Sequence, residues 1–332
     1  MQKIIVCCLL CGLSVLGYAQ PFEPVNPNAS AEARALLAYL YEIDDEHILS
    51  GQHSYNGNMH QFFERVHELT GTYPALWGTD FIWRGPNDPG AEIVEEAIKK
   101  HRDGYLVTLM WHAGRPTDTP PFPWRESIQG EVTDEEWQDL TTPGTALHAR
   151  WLGQVDTVAS YLKQLRDAHV PVLWRPYHEM NGVWFWWGDK KGEDGFQKLW
   201  KMMFDRYVNH HDLNNLIWVW NANAPRDIPK DEAFPYEMFY PGAEYVDVLA
   251  TDVYHFDYEQ NEYQQLLDLA GGKVIALGEV GQLPKPEILE AQPKWAWFMV
   301  WSQWLETHNT LDRVKAVYAH PPTLTHDEVE RQ

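Results

Sequence analysis

The sequence predicts an α/β fold, a single (β/α)8 TIM barrel, on three observations. Eight apolar, β-branched runs recur along the chain, amphipathic stretches separate them, and polar residues gather at the runs' C-terminal ends. The runs are HILSGQH (47–53), YPALWGTDF (73–81), GYLVTLMWH (104–112), VPVLWRPYHE (170–179), NLIWVWN (215–221), VDVLATDVY (246–254), KVIALGEVG (273–281) and WFMVWSQW (297–304). Continuous apolar strands of this kind are buried on both faces, the habit of parallel sheets covered by helices. An open doubly wound sheet would show the same alternation. No G-x-G-x-x-G follows the first run, however, so dinucleotide binding loses its main support.

Each element has its own warrant. Ala33, Leu36, Leu37 and Leu40 mark a leading helix before the first strand. Met59, Phe62, Phe63, Val66 and Leu69 then follow at helical spacing, as do Val155, Val158, Leu162 and Leu165, and Phe196, Leu199, Trp200, Met203 and Tyr207. The segment from Gly114 to about Ala146 is Pro-rich and lacks helical period until its end, which predicts a long loop shaping one side of a cleft. No Ser/Gly linker or low-complexity tract divides the chain, so residues 20–332 are expected to form one domain.

Residues 1–19, MQKIIVCCLLCGLSVLGYA, combine Lys3, an apolar run from Ile4 to Leu16 and the small residues Gly17 and Ala19. This predicts a secretory signal cleaved after Ala19 and an exported protein, periplasmic or secreted. All three cysteines (Cys7, Cys8, Cys11) lie within it, and Leu10 before Cys11 argues against lipidation. An exported chain without thiols excludes disulfides, thiolate nucleophiles and zinc–thiolate sites. No later run is apolar enough to span a bilayer. The net charge of −22 repels nucleic acid and anionic lipid and suits a neutral or cationic partner. With 17 Trp and 16 Tyr, the chain holds many rings that must pack or stack on something. Nothing in the sequence indicates an oligomeric state.

His53, Asp80, His112, Glu179, Asn221, Tyr254 and Glu279 each end, or nearly end, a run, and barrel strand ends open onto one face. Glu179 and Glu279 are three βα units apart and should face each other across that mouth. Two facing carboxyls are the minimum equipment for breaking a glycosidic bond: one holds a proton for the leaving oxygen, the other is ionised toward the anomeric carbon. Glu179 is followed by MNGVWFWWG, rings that would desolvate it and keep it protonated. Glu279 sits among small residues in ALGEVG, within reach of Tyr254 and Arg175. Arg175 lies four residues before Glu179, so strand alternation turns both inward, and a buried Arg needs a carboxylate such as Glu279. Glu179 is therefore read as acid/base and Glu279 as nucleophile, about 5 to 5.5 Å apart.

WRPYHEMNGVWFWWG and IALGEVG, with ILSGQH, LMWHAGRP, TDVYHFD and FMVWS in the same order, resemble glycoside hydrolase family 26, whose main members are β-mannanases. The resemblance covers essentially the whole chain after the signal. It implies a retaining β-glycanase working through a covalent glycosyl-enzyme, with the same assignment of Glu179 and Glu279. A β-1,4-mannanase is the leading expectation, endo- or exo-acting, the latter including mannobiose release. β-1,3-Xylanase and mixed-linkage β-glucanase of the same family stay open. No metal or organic cofactor is implied, and the expected partner is a neutral β-glycan. The resemblance further makes Trp184 a sugar platform, Trp301 the floor aromatic and His112 a hydroxyl contact in the central subsite. Tyr254 becomes a hydrogen-bond donor to Glu279. His178 stands where the wider clan has Asn, and with Asn181 it is expected beside the site or on the sugar. Trp83, Trp111 and Trp124 are candidates for outer subsites, whereas Phe185, Trp186 and Trp187 are expected to pack.

Two other classes compete. A metal-dependent amidohydrolase would draw on the 15 histidines, but SGQH carries a single His and HEMNG lacks the second His of H-E-x-x-H. A non-catalytic carbohydrate-binding protein would use the same rings without needing two opposed acids.

Overall fold

The computed structural model describes residues 23–81 and 88–329; residues 1–19 of the expected signal and Trp83 lie outside them. The described chain begins with α1 (Ala31–Glu42) and continues as β1 (Ile48–His53), α2 (Gln61–Thr70), β2 (Leu76–Asp80), α3 (Gly90–Arg102) and β3 (Leu106–Trp111). After α4 (Asp134–Leu140) and α5 (Ala146–Asp167) come β4 (Val172–Pro176), α6 (Phe196–Asp205), β5 (Leu216–Asn223), β6 (Val248–Val253) and α7 (Gln260–Ala270). The last turn of the barrel is β7 (Val274–Val280), α8 (Pro286–Ala291), β8 (Trp295–Val300), α9 (Trp304–Thr307), α10 (Leu311–Tyr318) and β9 (Thr323–Leu324). Strands β1 to β8 pair in parallel in chain order, and β1 pairs with both β8 and β2, which closes the ring. The short β9 pairs with Ile48 and Leu49, ahead of the point where β2 takes over at Gly51.

Strand alternation sorts the core into two shells. Leu173, Ile217, Val219, Val248, Ala250, Val274, Ala276, Trp297 and Met299 fill the barrel and meet Ala33, Leu36, Leu37 and Leu40 of α1. The leading helix thus plugs the N-terminal end. Trp174, Trp218, Trp220, Leu249 and Leu277 point the other way, into the layer between strands and helices. Four of the described helices, α1, α4, α5 and α10, begin at side-chain caps. Ser30, Thr145 and Thr310 accept from the backbone of Ala33, His148 and Arg313, and Thr133 with Glu136 forms a capping box before α4. Such caps contribute about 1 kcal/mol each. No described helix is long and apolar enough to cross a membrane.

Three expectations about elements need correction. The eighth strand spans 295–300 rather than 297–304, because the aromatic run continues beyond the strand into α9. The segment 114–146 is not all loop, since it contains α4 and a short π turn, Trp124–Ile128. Strand four stops at Pro176, so alternation does not extend to Glu179.

Candidate active site

Glu179 reaches the barrel mouth through an irregular turn rather than a strand. Tyr177 and Glu179 both hold left-handed backbone, φ 48° and 54°, a conformation that costs non-glycine residues about 1 kcal/mol or more and is kept only where the surroundings dictate it. The surroundings here are specific. The Glu179 amide donates to the Asn221 carbonyl at 2.7 Å, and the Trp151 indole donates to the Tyr177 hydroxyl at 2.9 Å. Trp186 donates to the Ala113 carbonyl and Trp187 to the His178 carbonyl, each at 2.8 Å. Phe185, Trp186 and Trp187 are buried, as expected; two of the three act as pegs that fix the loop carrying Glu179.

Glu279 stays within its strand, and a bulge aims it. Thr251 pairs with Leu277 but Asp252 pairs with Glu279, so one extra residue is accommodated between them. Leu277 and Val280 both face the helices, leaving Gly278 and Glu279 together to face the barrel. Bulges beside active sites redirect side chains in this way. Gly278 is required because a Cβ there would lie 1.7 Å from Asn221 Oδ1 and 2.8 Å from Asp252 Oδ1.

The two acids have opposite surroundings. Glu279 Oε1 accepts from Arg175 at 2.8 Å and Oε2 accepts from the Tyr254 hydroxyl at 2.7 Å. Burial and the Glu279 charge hold the Tyr254 phenol well above its ordinary range, so it remains a donor. Arg175 also donates to Asn221 Oδ1 at 3.0 Å and lies 3.7 Å from Asp252. Among the described residues, Glu179 forms no ion pair: Asn223 Nδ2 donates to its Oε1 and Trp184 Nε1 to its Oε2, both at 2.6 Å. Burial, reinforced by the Glu279 charge, pushes the Glu179 carboxyl up to about 7, against the pull of those two hydrogen bonds. Burial and a neighbouring charge thus favour the proton on Glu179, while Glu279 receives its hydrogen bonds from a guanidinium and a phenol.

The other expected residues surround this pair. His112 Nδ1 is bound to Asp80 at 2.6 Å, which leaves Nε2 as the ring atom available to a ligand. Trp301 stacks on His53 with ring centroids 4.1 Å apart, and His53 is bridged to Ser302 Oγ at 2.9 Å. Ser302 takes φ 36°, the bend that follows the end of β8. His178 is buried and 3.6 Å from Glu279 Oε1; burial holds it well below its usual pKa, as a neutral ring lying edge-on to His112 at 4.5 Å. Asn181 is fully buried with its amide spent on the backbone of Asn223 and Phe234, which removes it as a sugar contact. Trp111 is likewise core, packed on Tyr177, whereas Trp124 is 42 % exposed and borders His112 at 4.8 Å.

Sequence reasoning missed Asn223 and Asp252. Asn223 lies past the apolar run and reads as a turn residue. Asp252 reads as a strand residue, yet it is buried within 3.7 Å of Arg175, and burial together with the Glu279 charge pushes it well above the usual carboxylate range. Ligand atoms of His178, Asp252 and Glu279 lie within 4.8 Å of one another, a spacing that could suit a metal ion. Among these groups the fixed positive charge of Arg175 already stands where a cation would.

A closed parallel barrel with two differently held acids and a partly open indole at its C-terminal mouth defines the class of barrel glycosidases. Within that class, the chain belongs to glycosyl hydrolase family 26, whose model matches residues 25–328. It is similar to GH26A from Muricauda sp., with 62% identity and a TM-score of 0.90 over 92% of this chain and 99% of that one. A β-mannanase from a symbiotic protist of the termite Reticulitermes speratus, complexed with gluco-manno-oligosaccharide, superposes at a TM-score of 0.81. It has 30% identity over 93% of this chain and 98% of its own. A mannan endo-1,4-beta-mannosidase of Thermothelomyces thermophilus is 38% identical over 92% of this chain and 63% of its own length. The chain spans about half to two thirds of that protein and of two further curated relatives.

Proposed function

We propose that the protein is a retaining β-1,4-mannanase acting on mannan-type poly- or oligosaccharides, with Glu279 as nucleophile and Glu179 as acid/base. The observation that carries the assignment is the contrast between the partners of the two acids: Arg175 and Tyr254 on Glu279, neutral Asn223 and Trp184 on Glu179. In the first step the Glu279 carboxylate bonds to the anomeric carbon, the bond to the leaving oxygen breaks, and Glu179 gives that oxygen its proton. In the second, Glu179 as carboxylate takes a proton from water, the water oxygen bonds to the anomeric carbon, and Glu279 departs as carboxylate. Trp184 and Trp301 offer ring faces to pyranose C–H surfaces, and His112 offers Nε2 to a hydroxyl. The names of the similar proteins favour mannan over xylan or mixed-linkage glucan.

Glu279→Ala is expected to lose turnover by several orders of magnitude while still binding sugar. Glu179→Ala is expected to retain activity on substrates with good leaving groups, and azide to restore it by attacking the glycosyl-enzyme. Parent-like turnover by either variant overturns the assignment. A panel of mannan, galactomannan, glucomannan, β-1,3-xylan and mixed-linkage glucan, with product sizes followed in time, tests the sugar and the mode of attack. Export rests on residues 1–19 alone and is also our proposal; the N-terminus of the protein recovered outside the cytoplasm should begin after Ala19.

A further inference from the structure

Both donors to Glu179 touch the same guanidinium. Arg226, three residues beyond β5, donates through Nη1 to Asn223 Oδ1, and its charge lies over the Trp184 ring at 4.9 Å from the centroid. Asp231 fixes it, taking Nη2 on its carboxylate at 2.7 Å and Nε on its carbonyl at 2.9 Å. The Arg226 backbone is paired both ways with Ala233, at 2.9 and 3.0 Å. The side chain is nearly buried, only 10 % exposed. We propose that Arg226 is a positioning residue for the proton of Glu179, holding the Asn223 amide and the Trp184 indole so that this carboxyl meets donors only. The inference rests on the acid/base reading of Glu179.

The argument is one of valence. A guanidinium can only donate, so the amide edge facing Arg226 must be Oδ1, and the edge facing Glu179 must be the NH2. With an amide N–H on one oxygen and an indole N–H on the other, neither neighbour can accept the carboxyl's own proton. That O–H is left for the leaving oxygen of a substrate. If the amide turned over, Oδ1 would accept the proton in a neutral hydrogen bond, and the acid would be masked. Arg226 prevents the turn, and from the far side it stacks on the ring that supplies the second donor.

Among the described residues, Glu279, Asp252 and Tyr254 are the other titratable groups that interact with Glu179, with Arg175 and the neutral His178 beside Glu279. Arg226 itself faces Asp231, with His255 3.5 Å beyond Asp231, and Glu262 lies within its field. Its charge pulls the Glu179 carboxyl downward, so its removal raises that group further.

The test uses Arg226→Met and Arg226→Lys, with kcat/KM followed against pH on a manno-oligosaccharide and on a dinitrophenyl β-mannoside whose leaving group needs no proton. In Arg226→Met, activity on the oligosaccharide is expected to fall about tenfold or more, part of the 10²- to 10⁴-fold that a general acid supplies. Activity on the activated glycoside should fall much less, and the basic limb of the profile should move to higher pH. Arg226→Lys keeps the charge and loses the planar fork, so the limb should stay near the parent's while the oligosaccharide rate still drops. Equal losses on both substrates with an unmoved limb in Arg226→Met would reduce Arg226 to a loop prop and overturn the proposal. So would parent-like rates in both variants. Should Arg226→Met not fold, Arg226→Lys decides, because a loss equal on both substrates, or no loss, has the same meaning there. Glu179→Ala, run in parallel, separates the two claims: if it cleaved the oligosaccharide at the parent rate, the acid/base reading itself would fail.

Discussion

The ends of β4 and β7 each deliver one glutamate to the same opening, and they do so by opposite means. β7 keeps its pairing with β6 on both sides of Glu279 and gains the inward direction from one extra residue, so the carboxylate rides on a rigid, hydrogen-bonded frame. β4 abandons pairing at Pro176, and its glutamate is held by left-handed backbone and a loop pegged with indoles. The ionic partners divide in the same way, with a guanidinium and a phenol for Glu279 and neutral donors for Glu179. The difference teaches what each task requires. On the assignment proposed above, the group that bonds to carbon needs a fixed position and a stabilised charge, whereas the group that passes a proton in both directions needs a pKa near the working pH.

The largest break in this comparison should come from Gly278→Ala. The new methyl cannot share space with the buried Asn221 amide, which Arg175 and the Ala222 carbonyl both hold, and overpacking of this kind costs about 1–3 kcal/mol. Denaturant unfolding should record that loss, and turnover should fall with it, since Arg175 and Glu279 share the displaced network. Tyr254→Phe comes next. It leaves Oε2 of Glu279 without its donor, a loss of about 1.5–3 kcal/mol for a hydrogen bond to a charged group, read as a roughly 10- to 100-fold fall in kcat/KM without change in fold. A smaller effect is expected from Trp184→Phe, which keeps a ring but removes the indole N–H that lowers the Glu179 pKa. The basic limb of kcat/KM should move upward, and an unmoved limb would show that this hydrogen bond does not tune the acid.

The smallest effect concerns stability and pH. The folded Glu179 pKa, about 7, lies above its ordinary value of 4.5, so the folded chain binds the extra proton. Its contribution therefore falls as pH rises from about 4.5 through 7, where the buried carboxyl must ionise. Glu179→Gln does not ionise, so its Tm relative to the parent should rise by a few degrees between pH 4.5 and 8. A pH-independent difference would place the carboxyl's titration outside that window.

Much of this was legible in the sequence, for identifiable reasons. Apolar runs and helical spacing fix the number and order of strands, and the polar strand ends mark the mouth; Glu179, Glu279, Arg175 and Tyr254 follow from these. What stayed hidden has equally physical causes. A period-two pattern cannot show a bulge, so ALGEVG announces Glu279 but not that Gly278 turns it inward. Asn223 and Arg226 look like turn residues because their partners, Glu179 and Trp184, lie about forty residues earlier. The eighth strand was shifted because Trp301 and Trp304 extend an aromatic run that the backbone leaves at Val300. Of the two places the sequence allows Asn181, beside the site or on the sugar, only the first holds, and nothing local reveals that its amide is spent on the backbone of Asn223.

The brief pairing of β9 with β1 bears on how the chain attains this shape. Ser50 donates to the carbonyl of Leu324, a contact between residues 274 positions apart, and β8 meets the other edge of the same strand. The β8 edge of β1, and the start of its other edge at Ile48 and Leu49, are thus satisfied only by residues from the far end of the chain, whereas β2 supplies the rest of that second edge locally. Distant contacts of this kind generally form slowly. Closing the ring at this seam is what encloses the interior that receives the two acids.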